Sequence, residues 1–489
     1  VYRLLNNRQV PSWWPAIAVL VGLWAALTIQ LNAPWFGHHD ANGAWISAAV
    51  RNNERYGLEW TRLIPVTNYA PVSTIQELHY YTHHPPLIVW LSGLSAELLG
   101  LHEMSLRWTV ACLTLLSAAA FFALARRLVG PQRAMLALVL YAFTPMIVYF
   151  GRMPNHEPLA LMIGLLFANV LYDWLRHPTP ARWAALAIMS VAAAWSMWGG
   201  IMLIGVLGMM AFVWQLRHAQ WRFALTIVGL GIVTVIAMAA LLTYYEWGAP
   251  GATERLIAAF SMRTSDTLGY EAPVEFTTGE FISRQMADLI LNFTPGVVFF
   301  GIVGLWFLRR EREVTRWLTA ALWLMPLLYI LIFRNAAQEH DFYKIFFAPS
   351  AALLAAIAIH ALWPKRLWRP VIVGLLILLP LWNIVYVGAL HQLPHQPRIN
   401  TVRQTLQSLN QAQVPIATNV DGISIPLLYY LDVPIQARIT PEAVVTLLRP
   451  LWYVYCPASP STQPDEPLPS LLTALLVHQD KYCAYFYLS

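Results

Sequence analysis

The chain has 489 residues, of which 58% are hydrophobic and only 11% charged, against roughly 25% charged in ordinary globular domains. No soluble core absorbs that much apolar sequence, so the composition asks for a bilayer as solvent. The net charge of +6 does not argue for nucleic acid, because excess Lys and Arg in a membrane protein collects in cytoplasmic loops.

Apolar runs long enough to cross a bilayer, about 17–25 residues each, lie at 13–31, 105–125, 133–149, 157–175, 182–198, 199–216, 223–247, 289–308, 317–333, 344–362 and 370–388. The first is long and lacks a small-residue cleavage site, which reads as a retained signal anchor. A twelfth run, 85–101, is short, opens with Pro85-Pro86 and carries Ser92, Ser95 and Glu97. The positive-inside rule decides its fate. With eleven spans and the N-terminus inside, the short cytoplasmic loops hold 16 of the 31 Lys and Arg residues, the longer outer loops 10 and the tail 5. A twelfth crossing would move every later cluster to the wrong side. Segment 85–101 is therefore expected on the outer surface as a juxtamembrane or re-entrant helix.

The expected layout is a transmembrane domain over residues 1–390, with large outer loops at 32–104 and 248–288, and an extracytoplasmic α/β domain over 391–489. In that tail, helices are expected at 401–413, 424–431 and 441–448, and strands at 416–419, 452–456 and 482–488. The proline-rich stretch 457–470 reads as a surface loop. The three cysteines show no CxxC or zinc spacing. Cys112 lies in an apolar run and reads as packing, while Cys456 and Cys483 are open to pairing if the tail is exported, or to remaining two thiols.

Polar residues then gather on the outer side, at the ends of apolar runs: GHHDANGAW at 37–45, YYTHHPPL at 80–87, GRMPNHEPLAL at 151–161 and FRNAAQEHDFYK at 333–344. Ionisable groups at such places are functional candidates by default. Bland readings stand beside this: Asp40 as an N-cap, Glu157 as a first-turn acid paired with Arg152, His340 and Asp341 as loop-ordering partners. Together they supply what transfer from a phosphate-activated donor needs. Asp40 suits the base that takes a hydroxyl proton. His83, His84, Arg152, Arg334 and Lys344 suit the departing phosphate. His39, His156, Glu157, His340 and Asp341 are open to substrate contact or to a divalent cation, although their spacing specifies no metal and no cofactor is required.

An acidic residue just after the first span, followed by the helix AAVRNNERYGL at 48–58, resembles the GT-C superfamily of polyprenyl-phosphate-sugar glycosyltransferases. The supporting motifs are HHPPLIVWLSGLSAELLGLHEMSLRW at 83–108, RMPNHEP at 152–158 and EHDFYK at 339–344. They are similar to those of the protein O-mannosyltransferase and lipid A aminoarabinose transferase group, a glycosyltransferase family 39-like set. The resemblance implies an all-α polytopic GT-C fold of about eleven spans with outer-face juxtamembrane helices. It maps a catalytic acid onto Asp40 and a second acid onto Glu157, and His84 stands where the aminoarabinose enzymes carry a basic residue before Pro-Pro-Leu. Asp40 is followed by Ala41 and Asn42 rather than the Asp-Glu common in mannosyltransferases, which weakens protein mannosylation as the activity. The implied reaction is inverting transfer of one sugar from a polyprenyl-phosphate carrier to an acceptor lipid, glycan or protein. It would take place outside the bacterial cytoplasmic membrane, in cell envelope glycosylation. The rival classes are a transporter or flippase, which would carry polar residues and broken helices near the bilayer midplane, and a polymerase or ligase for lipid-linked saccharides.

Overall fold

The computed structural model describes residues 13–268, 274–392, 396–410, 413–419, 429–436, 439, 443, 447, 449–456, 476–479 and 483–488. Among them the chain divides into two compact units, one of Val1–Leu31, Thr82–Leu98 and Met104–Gly388, the other of Asn32–Tyr81, Leu99–Glu103 and Ala389–Ser489.

The first unit is a helical body. Its helices are α1 (Trp14–Leu27), α3 (Leu87–Leu99), α4 (Glu103–Val129), α5 (Pro131–Ala142), α6 (His156–Arg176), α7 (Pro180–Ser196), α8 (Trp198–Arg217), α9 (Trp221–Gly248), α10 (Ala252–Arg263), α11 (Thr278–Leu308), α12 (Glu313–Ile332), α13 (Arg334–Glu339), α14 (Ala348–Leu362) and α15 (Trp368–His391). Among the described residues, eight segments are long and apolar enough to cross a membrane: α4, α6, α8, α9, α11, α12, the turn-plus-helix Asp341–Leu362, and α15. The other three expected runs form the shorter helices α1, α5 and α7. Helix α3 has 13 residues, about 20 Å of length, short of the roughly 30 Å hydrocarbon core.

Local chemistry sets the helix ends. Asn155 accepts from the His156 N–H to open α6, Thr179 caps α7 with Pro180 in its first turn, and Thr277 with Glu280 forms a capping box for α11. Pro295 interrupts α11, and Thr294 before it stands at φ 67°, because proline disfavours the helical region for its predecessor. Burial sorts the helices by role. The most apolar stretches of α6 and of Asp341–Leu362 are 78% and 83% buried, whereas those of α9 and α15 are 22% and 17%. Helices α6 and α14 therefore form the core, and α9 and α15 present apolar faces outward, as lipid solvation permits. Small residues allow close approach: a Cβ at Gly304 of α11 would lie 2.2 Å from the Leu354 carbonyl oxygen of α14.

The second unit contains α2 (Ala41–Thr61), α16 (Gln396–Leu409) and a five-stranded sheet. A separate two-stranded ribbon, β1 (Thr267–Leu268) and β2 (Val274–Glu275), belongs to the helical body. The five strands are β3 (Ile416–Thr418), β4 (Ile435–Gln436), β5 (Leu451–Tyr455), β6 (Leu476–Gln479) and β7 (Ala484–Leu488), in the order β4-β3-β5-β7-β6. β3 runs parallel to β4 and β5, and β7 runs antiparallel to β5 and β6. Val402 and Leu406 of α16 pack on Ile416, Trp452, Val454 and Tyr485, and Cys456 is disulfide-bonded to Cys483. The mostly helical body with a small C-terminal sheet is the fold class that the sequence implies. The expected helix at 401–413 begins earlier and ends at Leu409. β4 and β6 were not expected: the first has two residues, and the second is exposed throughout and so lacks alternation. Most of the expected helices 424–431 and 441–448, and the loop 457–470, lie outside the described residues, apart from the helical Tyr429–Leu431.

Candidate functional site

Two prolines and two histidines begin the site. Pro85 and Pro86 donate no backbone hydrogen bonds and hold the preceding residues out of helical geometry, so the carbonyls of this segment need outside donors. Trp198, at the start of α8, donates its indole N–H to the His83 carbonyl at 2.7 Å. Tyr245 of α9 donates its hydroxyl to the His84 carbonyl at 2.6 Å. The His156 ring hydrogen-bonds the Pro85 carbonyl and lies 4.8 Å, centroid to centroid, from the His84 ring. The backbone that carries both imidazoles is thus fixed from three helices. Burial, then the nearby Arg263 and Arg255 guanidiniums, lower the pKa of His83. Burial, then His156 and Arg263, hold His84 well below the usual histidine value. Both rings are neutral at pH 7, each with one N–H to donate.

These rings open on a cavity of about 340 Å³. Its polar lining is His83, His84, Trp198, Arg263, Tyr329 and Tyr343, and the rest is apolar, much of it from α10 through Leu256 and the exposed Ile257 and Phe260. Tyr329 and Tyr343 meet edge to face at 5.2 Å. Arg263, the last residue of α10, places Nη1 3.2 Å from a Glu339 carboxylate oxygen and 3.2 Å from His340 Nε2. An apolar chamber with one guanidinium and several neutral N–H and O–H donors suits an anionic head on an apolar body.

The other residues singled out in the sequence are distributed around this chamber in different ways. Glu157 is 2% exposed in the first turn of α6, with Oε2 making no hydrogen bond and Arg263 within electrostatic reach. Arg152 is buried in the turn before α6. Lys344 is fully buried. Its ammonium lies 2.8 Å from Asp288 and donates to the Ala337 carbonyl at 2.6 Å, and Asp288 is also paired with Arg284 at 3.2 Å. Arg334 pairs with Asp266 and lies 4.6 Å from the Phe281 ring centre. His340 stacks on Phe342 at 4.9 Å, and Asn292 reaches Asp341 at 3.5 Å. Neither Lys344 nor Arg334 lines the chamber. No three of His156, Glu157, His340 and Asp341 bring their ligand atoms together for a metal ion.

In the second unit, Asp40 occupies the N-cap position of α2 without capping it. Its Oδ2 reaches back and accepts from the Gly37 N–H at 2.9 Å, and the residue is 8% exposed. The preceding His39 stands at φ 57°, with its ring 4.0 Å from that of His38. The turn therefore folds the carboxylate over its own backbone.

Sequence reasoning missed Arg263, Trp198, Tyr245, Tyr329 and Tyr343. Tyr245, Tyr329 and Trp198 sit within apolar runs, where they read as membrane-boundary aromatics, and Tyr343 lies inside the EHDFYK motif, where the charged residues stand out. Arg263 finds its acidic partner 76 residues away, a separation that leaves no local pattern. Its one local signal is the amphipathic alternation of α10.

Residues 83–253 match the sequence profile of the family described as dolichyl-phosphate-mannose-protein mannosyltransferase. No curated protein sequence matches the chain. Among solved structures, ArnT from Cupriavidus metallidurans bound to undecaprenyl phosphate superposes with a TM-score of 0.67 at 15% identity, covering 96% of this chain and 97% of that one. The Archaeoglobus fulgidus oligosaccharyltransferase, tethered with an acceptor peptide, gives 0.51 at 12% identity over 88% of this chain and 64% of that one. The mycobacterial arabinofuranosyltransferase AftD gives 0.50 at 14% identity over 93% and 37%. The fold is the GT-C fold of these glycosyltransferase structures, and the chain is a multi-pass membrane protein whose residues 83–253 resemble the protein mannosyltransferases.

Proposed function

We propose that this GT-C protein is an inverting glycosyltransferase that moves one sugar from a polyprenyl-phosphate carrier to an acceptor lipid, glycan or protein on the outer face of the cytoplasmic membrane. The observation that carries the reading is the chamber of His83, His84, Arg263, Tyr329 and Tyr343: one cation and several neutral donors set in an apolar enclosure at the end of the helical body. A phosphate on an isoprenoid tail has that polarity. The fold match to a structure bound to undecaprenyl phosphate supports the same ligand class.

The chemistry follows from the charges. The acceptor oxygen attacks the anomeric carbon while the Asp40 carboxylate takes its proton. The bond from the anomeric carbon to the phosphate oxygen breaks, and polyprenyl phosphate leaves with the electron pair. A single displacement inverts the anomeric configuration. Arg263 and the imidazole and phenol donors answer the charge that grows on the phosphate. Glu157 keeps a buried carboxylate oxygen available to a hydroxyl or other donor of the sugar. Arg334 and Lys344 pair with Asp266 and Asp288 and do not line the chamber, so Arg263 is the cation assigned to the phosphate here.

Two features support the outer-face orientation. Arginine clusters mark the opposite ends of the helices, and the Cys456–Cys483 bond suits an oxidising compartment. The test incubates purified protein with undecaprenyl phosphate carrying mannose, glucose, galactose, arabinose or aminoarabinose and measures release of free undecaprenyl phosphate. At least one donor is turned over, and Asp40→Asn slows it by about 10²–10⁴, the usual weight of a general base. Turnover of no donor, or normal turnover by Asp40→Asn, sinks the mechanism.

A further inference from the structure

Tyr430 and Asp432, close to the C-terminal end of the chain, make a set of contacts that all converge on the segment around Asp40. The Trp35 backbone N–H donates to the Tyr430 hydroxyl at 2.8 Å, and that hydroxyl donates in turn to the Glu103 carboxylate. The Tyr430 ring lies 5.5 Å from Phe36, and Arg403 stands over it at 5.0 Å. Trp35 is fully buried and packs on Gly43 so closely that a Cβ there would lie 2.3 Å from its ring. Its position thus fixes the first turn of α2. On the far side of that turn, Arg51 of α2 donates to the Tyr429 carbonyl at 2.8 Å and pairs with Asp432 at 3.1 Å, and Arg55 pairs with the same carboxylate. The His38 N–H donates to the Leu390 carbonyl at 3.1 Å. Residues 35 to 40 are therefore held by tethers that begin some 350 residues later, at both ends of the Asp40 turn.

We infer that the segment Tyr429–Asp432 is a positioning device for Asp40, with Tyr430 as its principal positioning residue: the C-terminal part of the chain sets the catalytic turn. The inference rests on the reading of Asp40 as base. The physical argument concerns tolerance. A turn of four residues with one positive φ has many near-equal arrangements, and a base loses rate steeply when it is about 1 Å out of place. Tyr430 removes that freedom by fixing the Trp35 amide, two residues before the Gly37 amide that Asp40 itself holds. The donor chamber is lined by residues of the helical body alone, so loss of the tether affects turnover and leaves donor binding in place.

The test compares wild type with Tyr430→Phe, which keeps the ring and deletes both hydrogen bonds of the hydroxyl, and with Asp40→Asn, on the undecaprenyl-phosphate sugar turned over fastest. Expected for Tyr430→Phe are a kcat about tenfold lower, a donor KM within about twofold of wild type, and faster amide deuterium exchange in the peptide spanning residues 35–40. Glu103→Leu removes the acceptor of the Tyr430 hydroxyl at the other end of the link and replaces Tyr430→Phe if that protein is not recovered folded. Unchanged exchange, or faster exchange with wild-type kcat while Asp40→Asn is inactive, overturns the positioning role and leaves the base intact. Wild-type turnover by Asp40→Asn overturns the base, whatever the exchange data show.

Discussion

His84 is caught between two demands. Its carbonyl is pinned by Tyr245 and its ring lies on His156, so it cannot turn toward water when it gains a proton. Burial and Arg263 then keep it neutral. Its pKa in the folded protein lies below the ordinary 6.5, and that of His83 is lowered as well, so below about pH 6.5 the unfolded chain binds more protons than the folded one. The stability these rings contribute is present above that pH and lost as the pH falls. Thermal unfolding followed by intrinsic fluorescence in detergent is expected to show a falling midpoint from pH 7 to pH 5, and a shallower fall in His84→Gln. A phosphate in the chamber works the other way, because an anion favours the imidazolium. Undecaprenyl phosphate is expected to raise the midpoint more at pH 6 than at pH 8. Lys344 shows the opposite case at the same scale. It looks like a free cation in FRNAAQEHDFYK, yet its partner Asp288 is 56 residues upstream on another helix, and no sequence spacing records that.

At the scale of the element, apolar length and helix-end chemistry made the helical body legible. The Pro-Pro opening of 85–101 marked a helix start, and the observed α3 begins at Leu87. What remained hidden were features that depend on contact rather than period. Pro145 and Thr144 end the run 133–149 early, so that it becomes α5 plus the single π-helical turn Met146–Phe150. Pro295 divides α11 without changing its apolar pattern. The contact between α11 and α14 is another such feature, since Gly304 lies against the Leu354 backbone itself rather than against a side chain that could swing away. Gly304→Ala is expected to destabilise by about 1–3 kcal/mol, the usual range for overpacking, read as a lower unfolding midpoint. Gly231→Ala, with open space around its Cβ, serves as the neutral control. Equal behaviour of the two variants would show that α11 and α14 part easily. Of the candidate site, the elements carrying Asp40, His83, His84 and Glu157 were readable because each polar group stands at an abrupt end of an apolar run. Arg263 and the two tyrosines were not, since only folding brings α10 and α12 to the histidine segment.

At the scale of the whole molecule, the second unit is assembled from three stretches of chain that are far apart in sequence. Its sheet is stapled by Cys456–Cys483, which closes a loop of 27 residues and by loop-closure entropy contributes about 3.5 kcal/mol. Protein purified without reductant is expected to label with a thiol reagent at Cys112 alone after denaturation, and at three sites once reduced. Labelling at three sites without reduction would place the tail in a reducing compartment and reverse the orientation proposed here. Cys456→Ser is expected to lower the stability of the sheet and, through Tyr430, to loosen the Trp35–Asp40 turn.

The scattered make-up of that unit also governs the order of biosynthesis. The stretch Asn32–Tyr81 is made well before the residues that complete its core, Ala389 onward, which follow only after just over three hundred more. At about 5–20 residues per second, the segment holding Asp40 waits roughly 15–60 s, unfinished, with Trp35 and Phe36 lacking their Tyr430 contacts. On the proposed reading of Asp40 as base, a chain that stops before Tyr430 lacks the contact that holds the Trp35 amide, and the Asp40 turn is left unset.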